Sequence, residues 1–116
     1  MTIATKFELR KLTLPNGVCP FDEWFKALER DDQYMVENRL LRLRLGSFGE
    51  VNTVGDAVWE LKFRKGRALR IYYGQIGKEI VLLISGGDKR TQKKDIKRAK
   101  ELFANYKSGE LKNAKH

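Results

Sequence analysis

The periodicity of the chain predicts an α+β domain, a helical hairpin and a C-terminal helix packed on a small antiparallel sheet in the order β-α-α-β-β-β-α. Three observations carry that reading. Apolar residues recur at helical spacing through residues 21–45, the period switches to two at Val58, and it returns to helical after Thr91. At 116 residues, 41% of them hydrophobic, the chain suffices for one core and is read as a single domain over residues 1–116.

The first strand is Phe7 to Leu12 (FELRKL), which alternates apolar and polar before the turn residues Pro15-Asn16-Gly17. After Pro20, suited to a first helical turn, Phe21, Trp24, Phe25 and Leu28 share one face of a short helix that ends near Arg30. Asp31 and Asp32 can cap a second helix, with a stripe of Val36, Leu40 and Leu43 that stops at Gly46. Ser47 to Asp56, rich in Gly, Asn and Thr, reads as a loop. Three strands follow: Val58 to Arg64 (VWELKFR), Ala68 to Gly74 (ALRIYYG) and Glu79 to Ser85 (EIVLLIS). The last is apolar almost throughout and fits a central, two-sided place. From Thr91, Ile96, Ala99, Phe103 and Tyr106 trace the inner face of a lysine-rich helix, and the tail after about residue 108 is expected to fray.

Composition removes several function classes. No apolar run approaches the ~20 residues of a membrane span, and the segment MTIATKFELRK has no secretion-signal core, so a cytoplasmic location and no membrane partner are expected. Cys19 is the only cysteine and is read as inert, and the only histidine, His116, is read as a terminal residue without a role. Neither a disulfide nor a Cys/His metal site can be assembled, and no metal or cofactor is expected.

Twenty-four basic and 15 acidic side chains give a net charge of +9. Residues 1–59 hold 8 basic and 9 acidic groups, residues 60–100 hold 13 and 4, and residues 101–116 hold 3 and 2. One segment carries the whole excess. Such a concentration attracts polyanions, nucleic acid first and membrane surfaces second, although lysine-rich stretches are also the usual solvated faces of proteins.

The register of the central hairpin follows from facing. A three-residue turn, Lys65-Gly66-Arg67, pairs Phe63 with Leu69, Leu61 with Ile71 and Trp59 with Tyr73, so that six apolar side chains share one face. The opposite face, expected to point outward, then pairs Lys62 with Arg70 and Glu60 with Tyr72, with Arg64 beside Lys65 and Arg67. Two cations directly opposed cost stability, and a bound anion would turn that repulsion into charge-assisted hydrogen bonds. The plainer alternative is that Glu60 neutralises part of the cluster while the long stems lie over the sheet.

LGSFG (Leu45 to Gly49), Val54-Gly55, VWELKF, ALRIYY (Ala68 to Tyr73) and above all LLISGGDKRTQKKDIKRAKEL (Leu82 to Leu102) are similar to the HigB-like, phage-derived branch of the RelE/ParE toxin superfamily. The resemblance runs from about Phe21 to Phe103. It implies the RelE-like fold and a type II toxin neutralised by a cognate antitoxin, itself expected to be a helix-turn-helix protein. It also implies either ribosome-associated cleavage of mRNA or, as in the ParE branch, non-catalytic action on DNA gyrase; a simpler nucleic-acid-binding module is the other alternative. By motif position Lys62, Arg64 and Arg70 match the basic residues of the nuclease branch, and Lys89 or Arg90 matches one after the last strand. Glu60 departs from the pattern, standing where a lysine is usual, and Tyr106 matches a C-terminal catalytic residue by location alone.

Metal-independent RNA cleavage requires a base for the 2′-hydroxyl, a stabiliser of the phosphorane and an acid for the leaving oxygen. The candidates are Arg70 for the phosphorane, Lys62 as base, Glu60 as base or orienter, and Tyr72 as stacking group or proton donor. Arg64, Lys65, Arg67, Lys89, Arg90 and Lys93 are the candidate RNA-binding cations. Gly86-Gly87-Asp88-Lys89 lacks the spacing of a nucleotide-binding loop and reads as a tight exit from the third strand, and Trp24 as core.

Overall fold

A computed structural model describes residues 6–64 and 66–116. Its elements are β1 (Glu8–Thr13), α1 (Pro20–Lys26), α2 (Arg30–Arg44), β2 (Val51–Gly55), β3 (Val58–Lys62), β4 (Arg70–Ile76), β5 (Ile80–Gly87), a short 3-10 turn (Lys89–Thr91), α3 (Gln92–Lys107) and β6 (Lys112–Lys115). The α+β class expected from the sequence is the one found, with the helical hairpin and the C-terminal helix in place.

The sheet corrects the expectation of a purely antiparallel one. It has six strands in the order β2-β3-β4-β5-β1-β6, and β1 runs parallel to β5. A parallel pair needs a long crossover, and everything from α1 to β4 supplies it. Two strands were unforeseen. Val51–Gly55 lies in the expected loop and pairs with β3 as an exposed edge strand. The tail does not fray: the amides of Gly109 and Glu110 return to the carbonyls of Tyr106 and Asn105, and β6 then pairs antiparallel with β1. Asn113 secures it, accepting from Arg10 at 3.2 Å and donating to the Tyr106 hydroxyl at 2.6 Å. His116 is seated too, with Nδ1 2.7 Å from an Arg44 nitrogen and its ring edge-on to Phe21.

Helices cover both faces of the sheet. On one, Phe21 of α1 and Val36, Leu40 and Leu43 of α2 bury Leu61, Phe63, Leu69, Ile71 and Tyr73. The hairpin has the predicted pairing, Trp59 with Tyr73, Leu61 with Ile71 and Lys62 with Arg70, and the Phe63 amide donates to Leu69. Trp59 is the exception among the six, 37% exposed. On the other face Ala99 and Phe103 of α3 pack on Leu12, Val58, Tyr72, Leu82 and Ile84.

A β-bulge sets the end of β5. Tyr73 pairs with Leu83 but Tyr72 with Ser85, so Ile84 is the extra residue, and from Ser85 onward the facing is reversed relative to simple alternation. Gly86 therefore lies under the Trp24 indole and Gly87 under the Asp95 carboxylate, both closer than a Cβ would allow. The Gly-Gly pair belongs to the strand and is a packing device for two helices, not an exit turn. Gly86→Ala is expected to destabilise the protein by about 1–3 kcal/mol through overpacking, read as a lower urea midpoint with an unchanged slope.

Candidate nucleic-acid site

Adjacent positions on β2 to β5 form two polar rows on the α3 face. Asn52, Glu60, Tyr72 and Ser85 make one, and Lys62, Arg70 and Gly87 the next. This face was expected to point outward. Instead α3 lies over it, leaving Glu60 2% exposed, Arg70 8% and Tyr72 fully buried. Only Lys62 of the four candidate catalytic residues keeps substantial contact with solvent, its side chain 30% exposed.

Glu60 organises the cluster. Its Oε2 accepts from the Tyr72 hydroxyl at 3.0 Å and from Gln92 Nε2, on the first turn of α3, at 2.9 Å. Arg70 Nε stands 3.7 Å from the same oxygen, and Lys62 Nζ 3.9 Å from Oε1. One carboxylate thus sits between the two cations and relieves the cross-strand repulsion. Asn52 adds an acceptor for Lys62 Nζ at 3.2 Å in the amide orientation that satisfies both its ends. Burial, reinforced by Glu60, pushes the Tyr72 phenol well above its ordinary range, so it stays protonated at neutral pH and its proton is committed to Glu60. Stacking on a base is closed to it while α3 is seated.

The remaining candidates divide. Arg64 is exposed and forms a two-point ion pair with Glu50 at 2.8 and 3.0 Å, and Arg67 binds Asp32 of α2 at 2.8 Å. These acids turn both arginines away from the Lys62–Arg70 row. The Asp32 hydrogen bond raises the Arg67 pKa further. Lys65 lies outside the described residues. Lys89, Arg90 and Lys93 are exposed around the entry to α3. Arg90 folds back on Asp88, whose carboxyl stays below its usual range because, against the pull of burial, it accepts from the Arg90 guanidinium and backbone. Tyr106 is at the far end of α3, engaged with Asn113.

Sequence reasoning assigned no role to Gln92, Ser85 or Asn52. Gln92 stood within the GGDKRTQ motif, but its partner became visible only once α3 was placed. Ser85 was hidden by the bulge. Among the described residues no cluster of three or more His, Cys, Asp or Glu could hold a metal ion, and no helix is long and apolar enough to cross a membrane.

A family profile described as "Phage derived protein Gp49-like" matches residues 23–104. A Haemophilus influenzae protein described as "Uncharacterized protein" is 39% identical over 83 residues, 71% of this chain and 84% of the relative.

Proposed function

The chain belongs to the Gp49-like family of phage-derived proteins, and from that premise we propose that it is the toxin of a type II toxin–antitoxin pair, a metal-independent mRNA endoribonuclease of the HigB-like branch of the RelE/ParE superfamily that acts at the ribosome. The observation that carries the reading is the Lys62–Glu60–Arg70 cluster on adjacent central strands, inside the segment that holds the basic excess. The Arg70 guanidinium suits a phosphorane. Lys62, the accessible member, faces the attacking 2′-hydroxyl. With Glu60 Oε2 occupied by Tyr72 and Gln92, Oε1 orients Lys62, which favours the orienting role of Glu60 over that of a base. Lys89, Arg90 and Lys93, exposed beside this row, hold the RNA backbone, and Arg64 and Arg67 add to the field at longer range. The charge pattern fits an acidic segment of a cognate antitoxin, and the family resemblance implies that this antitoxin carries a helix-turn-helix domain.

Inducing the protein in cells and mapping transcript 5′ ends tests the reading. In-frame cuts within translated regions are the expected result. Intact transcripts with DNA damage would replace it with a gyrase-directed toxin. Binding of the purified protein to single-stranded RNA should weaken with salt, log affinity falling by about 0.7 per decade of salt for each phosphate contact.

A further inference from the structure

Beside Glu60 lie buried polar atoms that no hydrogen bond engages. Nε and Nη1 of Arg70 and Oγ of Ser85 are buried without a hydrogen-bond partner among the described residues. Arg70 and Ser85 are 8% and 4% exposed. They occupy neighbouring rows of the same face, since Ser85 pairs with Tyr72, two residues along β4 from Arg70, while Gly87 lies directly across from Arg70. Buried donors left unpaired carry a desolvation cost that a fold dedicated to stability avoids. It is the bulge at Ile84 that places Ser85 on the same face of the sheet as Arg70, a device frequent next to functional sites.

The first turn of α3 closes this place. Gln92 ties it to Glu60, and Asp95, which accepts from Thr91 Oγ1, rests over Gly87 across the ladder from Arg70. With the turn seated, Lys62 and Arg70 share the single carboxylate of Glu60, and the Asp95 carboxylate lies over Gly87 in the same row. With it lifted, Asp95 leaves and one positive charge is uncompensated, which matches one phosphodiester.

We propose that Arg70 and Ser85 form a closed oxyanion pocket for one phosphate group of the RNA backbone, and that Gln92 is the latch holding α3 over it. The identity of the phosphate as RNA rests on the nuclease reading; the pocket and latch do not. Ser85 contributes a hydroxyl donor beside the guanidinium, and access requires the first turn of α3 to rise. The closed form lowers apparent affinity by the fraction of time the pocket is open.

Ser85→Ala, Gln92→Ala and the bulk-preserving Gln92→Met test this with two probes, inorganic phosphate and a single-stranded oligoribonucleotide carrying 2′-O-methyl groups, which cannot be cleaved. Ser85→Ala should weaken binding of both about tenfold, as expected for a hydrogen bond to a charged group, with a melting temperature equal to or above the parent's because an unpaired buried hydroxyl is gone. Both Gln92 variants should bind about threefold or more tighter. Parent-like binding by Ser85→Ala removes Ser85 from the pocket, and weaker binding by a Gln92 variant that melts normally removes the latch. If the variants shift binding as expected but transcripts of induced cells stay intact, the pocket stands and the nuclease reading falls. If transcripts are cut and neither variant shifts binding, the reverse holds.

Discussion

Arg70→Ala is expected to abolish growth arrest while leaving a folded protein. The substitution deletes a guanidinium that is buried with two unpaired nitrogens, so the desolvation it relieves offsets part of the lost contact with Glu60 and of the cavity left behind. Glu60 keeps its hydrogen bonds from Tyr72 and Gln92, and Lys62 stays opposite Oε1. Stability should therefore fall by about 1–2 kcal/mol, which leaves the protein folded. Removing a donor aimed at developing negative charge costs ~10² to 10³ in rate, more than one lost phosphate contact costs in binding. Arg70→Lys should rescue only part, because an ammonium cannot present the two-point fork that phosphoryl oxygens match. Growth arrest and thermal melting measured on the same variants decide the matter. A folded Arg70→Ala protein that kills as well as the parent would take Arg70 out of the mechanism.

The hairpin register was legible in the sequence because facing alone fixes it: the one-residue slip of a two-residue turn would have put Leu61 opposite Arg70 and Lys62 opposite Leu69. What covers the polar face was not. Alternation marks Glu60, Tyr72 and Arg70 as polar in the same way whether water or a polar core lies above them. The signal lay in the glycines on that face. A Cβ at Gly74 would strike Phe103, and one at Gly87 would strike Asp95, so both positions report the close passage of α3. The bulge at Ile84 was illegible because EIVLLIS is apolar on both faces and carries no alternation to break. β6 was missed for the opposite reason: KNAK has almost nothing apolar, and its placement depends on Asn113 reaching Arg10 and Tyr106, a tertiary fact.

That Arg64 and Arg67 stand apart from the row has a similar origin. Beyond Lys62 the strand ends, and parity no longer dictates where a side chain points. Glu50 and Asp32, distant in sequence from the turn, then draw the two arginines to the α2 side. The basic excess of residues 60–100 is therefore distributed over two faces, and the part that meets the cluster is carried by Lys62, Arg70 and the cations around the start of α3.

Arg39→Met should give the largest loss of stability of any substitution considered, on the order of 3 kcal/mol, because Arg39 pins the strand that carries the site. It projects from α2, 9% exposed, and its guanidinium donates to three carbonyls: Lys62 at 2.8 Å, Phe48 at 3.1 Å and Glu50 at 3.2 Å. It also lies over the Phe63 ring at 5.1 Å, and a Cβ at Gly49 would press on it. Burial lowers its pKa, helped by nearby Arg42, but a guanidinium keeps its charge throughout the accessible range. Methionine fills much of the same volume and removes the Arg39 donor from all three carbonyls, of which Glu50 keeps the Lys62 amide, so the loss falls chiefly on Lys62 and Phe48, each worth about 1–3 kcal/mol when buried and unpaired, with relaxation toward water recovering part. That is a large fraction of the ~5–15 kcal/mol a domain possesses. Arg39→Lys should recover only part, since one ammonium cannot span carbonyls contributed by the α2–β2 connection and β3. Urea unfolding measures the loss. Because the shortest of the three bonds holds the Lys62 carbonyl, RNA affinity of the variant should also fall under conditions where it is fully folded. Unfolding within about 0.5 kcal/mol of the parent, the range of an ordinary surface change, would mean that α2 does not hold the end of β3 and that the cluster owes its geometry to α3 alone.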